Sequence, residues 1–162
     1  MSLLGNSGAL FSPCKKYRYR LWRDWDVTKP VMTFVMLNPS VANEIDNDPT
    51  VERCQRRAVA SGFGRLQIVN IFALRSTDPK ALYSSNDPVG QENDAAILDA
   101  VKSHGMVVCA WGTLGNLNNR GAQVLELIRG TGVVPHYLVL NKDGTPKHPL
   151  YVGYDVKPQP WR

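Results

Sequence analysis

Hydrophobic positions cluster along this chain in short runs, and most of the runs do not alternate. Val31 to Leu37 is almost wholly apolar and stops at Asn38-Pro39-Ser40. A non-alternating run of that length predicts a strand buried on both faces. Pro39 has no N–H for a ladder and disfavours helical geometry at Asn38, so the strand ends there with Asn38 at its carboxyl end. Leu66 to Phe72, Met106 to Trp111 and His136 to Leu140 are three further runs of the same kind. Each stops at polar or turn residues.

Helical patterns separate the runs. Asp48-Pro49 supplies an N-cap and a first-turn proline, and Val51, Cys54 and Ala58 then share one side. Arg53, Arg56 and Arg57 lie off that side and are expected to face water; Gly62 and Gly64 end the helix. Asp78-Pro79 predicts a short helix through Tyr83, and a further helix is expected over 91–103. The cleanest period runs over 114–129, where Leu117, Gly121, Val124, Leu125 and Ile128 share a face. Before the first core run, Lys16 to Trp22 alternates strictly, as a strand with one solvated face does. The pattern predicts an antiparallel edge strand beside Val31 to Leu37, with 24–29 as the turn. Its cations either guard an exposed edge or track a phosphate backbone. Residues 1–13 read as a loosely held arm and 141–162 as an irregular tail.

Strands alternating with helices predict an α/β fold. The expected architecture is a three-layer α/β/α domain spanning 1–162, with four parallel core strands and the N-terminal edge strand. Parallel strands gather their carboxyl ends on one rim, where open α/β sheets bind ligands.

Composition narrows the class only a little. The chain has 162 residues, 43% hydrophobic and 20% charged, with a net charge of +5. One ordinary core fits that length, and nothing in the balance predicts disorder. The mild positive charge permits a phosphate-bearing partner without requiring one. Cys14, Cys54 and Cys109 are far apart and form no CxxC, so neither a disulfide framework nor a zinc site is predicted. Met1 to Leu10 lacks the pattern of a signal peptide, and no apolar stretch reaches membrane length. A reducing cytoplasm is the expected setting.

The rim carries the candidate chemistry. It should present Asn38 with Pro39 and Ser40, Asn70 with Arg75, Trp111 with Gly112, and Asn141 with His148 beyond. No GxxxxGK[ST], GxGxxG, GxSxG or HExxH occurs, so no phosphate loop, dinucleotide cofactor, serine elbow or metal is implied. The remaining set suits a flat polar heterocycle. An amide offers a donor and an acceptor side by side, an aromatic offers a stacking face, and a histidine can donate to a developing anion. Each residue also has a plainer reading. Asn38 can end a strand, Asn70 can tie two strand ends together, and His148 can sit on the surface. Arg75 can pair with Asp78 or Asp46, Trp111 can be core, and Asp46 and Asp48 can be caps or a general base. His104 and His136 read as structural.

Two resemblances enter on particular residues. FSPCKKYRYRLWRDWD, FVMLNPSVANEIDNDPTVERC, VNIFALRSTDPKAL, VVCAWG and KHPLYV resemble the bacterial family called domain of unknown function 1643. More distantly, Asn38-Pro39 after the first core strand, Asn70 closing the second, Trp111-Gly112 closing the third and His148-Pro149 resemble, in order, the motifs of the uracil-DNA glycosylase superfamily. That likeness implies the superfamily's fold and an N-glycosylase-like hydrolase acting on a base in DNA or a nucleotide. Asn38 would position the attacking water, Asn70 would read the base, and His148 would stabilise the departing base. The alternative is a non-catalytic nucleotide or nucleic-acid binding module.

Overall fold

The computed structural model describes residues 6–162. Seven strands form one mixed sheet: β1 (Ser7–Phe11), β2 (Arg18–Asp24), β3 (Val31–Met36), β4 (Arg65–Asn70), β5 (Gly105–Cys109), β6 (Pro135–Tyr137) and β7 (Gln159–Pro160). Their order across the sheet is β1-β2-β4-β3-β5-β6-β7. β3 pairs parallel with both β4 and β5, and β5 pairs parallel with β6. β1, β2 and β7 run antiparallel to their neighbours. Four α-helices join them: α1 (Pro49–Ala60), α2 (Ala81–Ser84), α3 (Asn93–Val101) and α4 (Arg120–Gly130).

All six residues of β3 are buried, which is why its sequence does not alternate. Met32, Phe34 and Met36 join the cluster that packs under Val51, Cys54 and Ala58 of α1. Val35 and Leu37 point the other way, into the cluster of Ile97 and Val101 from α3 and Val124 and Ile128 from α4. α1 begins as its sequence predicts: Asp48 caps it, with Oδ1 accepting from the Val51 N–H at 2.9 Å.

Several expectations are corrected. The Lys16–Trp22 segment is neither an edge nor a neighbour of β3. Both sides of β3 are taken by β4 and β5, so β2 pairs with β4, Leu21 opposite Ile68. The turn after β2 crosses the start of β4, where the Trp25 and Asp26 N–H groups both donate to the Gly64 carbonyl. Nor is 1–13 wholly a loose arm. Residues 1–5 lie outside the described residues, but 7–11 form β1 on the outer side of β2. Gly8 is there for close approach rather than looseness: a β-carbon at that position would collide with the Trp22 ring. The long periodic helix is broken, because Asn118 and Asn119 adopt positive φ values of 54° and 57°. Residues 113–119 are therefore a 3-10 stretch and α4 starts at Arg120. The 141–162 tail is mostly irregular but holds a 3-10 turn at Pro149–Tyr151 and the strand β7.

Gly105 sets the start of β5. Its φ is 154°, and a β-carbon there would run into the Val31 carbonyl on the neighbouring strand. Gly105→Ala is expected to lower unfolding free energy by about 1–3 kcal/mol, read as a lower urea midpoint at unchanged slope.

Candidate functional site

One small cleft opens at the carboxyl rim of β3 and β4, with a cavity volume of about 40 Å³. Met36, Asn38, Pro39 and Ser40 enter it from the end of β3, and Asn70 from the end of β4. Arg18 enters from the start of β2, Asp48, Thr50 and Val51 from the start of α1, and His148 from the tail. β2 is antiparallel to β4, so its first residue lies at the rim where β4 ends; the Arg18 N–H donates to the Ala73 carbonyl at 3.0 Å.

The donors in this cleft are unevenly used. Asn70 is 2% exposed and its Nδ2 has no partner among the described residues. The backbone behind it is tightly held. Asn93 Nδ2 donates to the Asn70 and Ile71 carbonyls at 2.8 and 3.1 Å, and Arg120 Nε donates to the Ile71 carbonyl at 2.8 Å. Asn70 is thus a fixed amide whose nitrogen faces no protein acceptor. Leaving such a donor buried costs about 1–3 kcal/mol.

Asn38 is the opposite case. Its Nδ2 lies within bonding distance of the carbonyls of Pro39, Leu74 and Ser76, at 3.1, 3.4 and 3.1 Å. The amide nitrogen ties the strand end to the loop after β4, so only Oδ1 is left for a ligand or water.

His148 Nδ1 accepts from the Leu150 N–H at 3.2 Å. In the neutral ring the proton then sits on Nε2. Burial lowers the His148 pKa from its ordinary value, against a smaller opposing pull from Asp48. The unfolded ring takes up a proton near pH 6.5, where the folded ring does not. Stability is therefore fully present above about pH 6.5 and falls as acid carries the pH down toward the folded value. Denaturation midpoints measured between pH 5 and 8 should show this slope, and His148→Gln should flatten it.

Arg18 is 2% exposed, and burial pulls its pKa down to about 10, so it stays charged at neutral pH. Nη1 donates to the Ala42 carbonyl at 3.1 Å, and Nε has no partner among the described residues. Arg23 holds the rest of the same loop, donating to Asn43 O at 2.6 Å and Asn47 Oδ1 at 3.0 Å. The polar stretch after Ser40 is therefore a loop held in place by two arginines.

A second pair of arginines holds the tail that carries His148. Arg57 is 3% exposed and donates to the carbonyls of Val152, Gly153 and Val156. Arg53 Nη2 donates to the Val152 carbonyl at 2.6 Å, and Arg53 and Arg57 lie over the Tyr154 ring at 4.4 and 5.5 Å. This corrects the expectation that Arg53 and Arg57 face water: the tail supplies carbonyls that no helical period reveals.

Of the residues singled out from sequence, Asn38, Pro39, Ser40, Asp48, Asn70 and His148 share the cleft. The others do not line it. Arg75 donates to the Lys15 carbonyl and lies over Phe11, so it pairs with neither Asp78 nor Asp46. Trp111 is buried in the other core cluster, its ring 5.9 Å from that of Trp161. Asn141 Nδ2 donates to Thr145 Oγ1 within its own turn. Gly112 backs the His148 segment, its N–H donating to the Pro146 carbonyl at 2.8 Å. Arg18 is the residue that sequence reasoning missed. Its place in an alternating strand put it on a solvated face, and the only available hint was a cation one residue from a buried tyrosine.

Comparison with known proteins decides the family. A family model described as "Protein of unknown function (DUF1643)" matches residues 18–150. The chain belongs to that family. Its matched region takes in Arg18, the Asn38 and Asn70 strand ends, the α1 cap and His148, so the whole cleft is family territory. No curated protein and no solved structure matches the chain. Among the described residues no group of three His, Cys, Asp or Glu side chains is placed to hold a metal, and no helix is long and apolar enough to cross a membrane.

Proposed function

We propose that this DUF1643 protein binds a nucleobase in the Asn70 cleft and acts as an N-glycosylase-like hydrolase on a base in DNA or a nucleotide. The observation that carries the reading is the buried Asn70 amide, held rigid from behind and lacking a partner in front. A ring carbonyl supplies the acceptor that it lacks. His148 Nε2–H is a second donor, and Asn38 Oδ1 is an acceptor for water.

The chemistry balances with these groups alone. Water, oriented by Asn38 Oδ1, forms a bond to the anomeric carbon as the carbon–nitrogen bond breaks. The electron pair leaves with the base, and its developing negative charge takes a hydrogen bond from His148. The proton lost by the water ends on the released base. A neutral histidine suits this role, because its lowered pKa keeps Nε2–H a donor without a permanent cation. The reading extends to the fold: β4, β3, β5 and β6 stand for the four-stranded sheet of the uracil-DNA glycosylase superfamily, between α1 and α3/α4. The three free cysteines are in keeping with a reducing cytoplasm.

The committed state of Asn38 Nδ2 favours a second reading, a non-catalytic module that holds a nucleotide or single strand in the same cleft. Labelled oligonucleotides and nucleoside monophosphates carrying each base separate the two. Release of free base by the protein, lost in His148→Ala, supports hydrolysis. Binding without release leaves the module. Absence of binding to every base-bearing ligand sinks both.

A further inference from the structure

We infer that the cleft contains an oxyanion subsite, formed by the Arg18 guanidinium and the first turn of α1, which takes the phosphate group of a nucleotide. The choice of a nucleotide rests on the base-binding reading; the phosphate contact itself does not.

Arg18 is the reason. A guanidinium has five N–H donors. Arg18 is 2% exposed, yet among the described residues its guanidinium makes only one bond, from Nη1 to the Ala42 carbonyl. Nε is buried without a partner, and no carboxylate lies within ion-pairing distance among the described residues. A charge is rarely buried in this way unless it is paired. Asp48 lines the same cleft and its charge favours the Arg18 cation from beyond ion-pair distance, while its Oδ1 accepts from the Val51 N–H of the helix cap. The cation is therefore held in place, desolvated and left with free donors on the cleft side.

Two neighbours reinforce it. α1 is 12 residues long and starts at the cleft, with Thr50 in its lining. The positive end of the helix favours an anion there, and the Thr50 N–H is the first-turn donor left to meet one, since Pro49 has none and Asp48 accepts from Val51 and Glu52. Asn70 Nδ2, the donor assigned above to the base, lies in the same lining, so a base held there and an anion at Arg18 are neighbours. A phosphate oxygen satisfies the free guanidinium donors, and the fork of a guanidinium matches two phosphate oxygens at once.

The sequence shows why no phosphate loop announces the site. The cation sits on β2, the amide on β4 and the helix start follows β3, so no short stretch of chain holds all three.

The test is a thermal-shift and calorimetric titration of the full chain at constant ionic strength. The probes are inorganic phosphate, a nucleoside, its 5′-monophosphate and a 5′-phosphorylated single-stranded oligonucleotide, with chloride as control. Phosphate and the monophosphate should raise the melting temperature with concentration, as ligands of the native state do. Arg18→Gln should weaken monophosphate binding roughly 10- to 100-fold, the loss of one charge-assisted pair. Because Arg18 also holds the Ala42 carbonyl, that variant can fail to fold. Asn70→Asp is the second arm: it removes no protein hydrogen bond of Nδ2 and places a negative charge beside the subsite, so it should abolish the phosphate shift. The inference is overturned by a nucleoside that binds as tightly as its monophosphate, by phosphate no more effective than chloride, or by an unchanged shift in Asn70→Asp. Phosphate binding with no preference for a base-bearing ligand would sink the nucleobase reading and leave this subsite standing. Competition by the oligonucleotide identifies a polymer end as the source; its absence identifies a free nucleotide.

Discussion

Replacing Asn70 with leucine is expected to weaken ligand binding about 100-fold or more while leaving the fold as stable as before, or slightly more so. The two halves of this result have one cause. Asn70 Nδ2 is buried with no protein acceptor, so the folded chain carries its desolvation without return. Leucine has a similar shape and no such donor, and removing an unsatisfied polar group is neutral or stabilising. A ligand carbonyl that had met the amide would instead face a methyl group. Urea denaturation and calorimetry on the same preparation read both halves. Lost stability with unchanged binding would make Asn70 an ordinary strand-end residue and remove the main support for a base in the cleft.

Arg57→Ala is expected to lower unfolding free energy by about 2–3 kcal/mol and to remove activity or binding with it. Arg57 carries three tail carbonyls, from Val152, Gly153 and Val156, and it is almost fully buried. Without the guanidinium the Gly153 and Val156 carbonyls lose their donor, Val152 keeps only Arg53, and the segment after His148-Pro149-Leu150 loses much of its anchor on α1. Hydrogen exchange should then show amides 150–156 opening while the β3 and β4 amides remain protected. Uniform loss of protection across the sheet would instead make Arg57 a core residue with no special tie to the tail. Arg57→Lys is a useful companion, because it keeps the charge but cannot reach three carbonyls with one planar fork.

The contrast between Asn38 and Asn70 shows how differently two strand-end amides can be employed. From sequence each had a ligand reading beside a plainer one: Asn38 could simply end a strand, and Asn70 could tie two strand ends together. Asn38 Nδ2 closes the rim by bonding to carbonyls on either side of it. Asn70 does none of this, because Asn93 and Arg120 already serve the carbonyls at the end of β4. The difference lies in residues more than 20 positions away in the chain, and no local pattern encodes it.

Much of the fold was legible in local chemistry. The unbroken apolar run of β3 announced burial on both faces, and Asp48-Pro49 announced the start of α1, because both are short-range effects of hydrophobicity and capping. The stop at Asn38-Pro39 also followed from proline alone. The pairing of β2 with β4 did not, since which strand edge remains free depends on the whole sheet order. Alternation in β2 correctly reported a strand but misplaced its charged side, because a loop over twenty residues later covers it.

Hydrophobic period and turn chemistry within a few residues were enough for the buried strands β3, β4 and β5, the capped helix and the candidate amides and imidazole, but not for β6, which is only the half-buried Pro135–Tyr137 of the expected run to Leu140. Tertiary structure alone decided that Asn38, Asn70 and His148 meet in one cleft, that Arg18 joins them, and that Arg75, Trp111 and Asn141 do not. The physical reason is that burial, orphaned donors and shared electrostatics are properties of neighbours in space. In this chain those neighbours are brought together from four separate segments by the sheet order and by arginines gripping distant carbonyls.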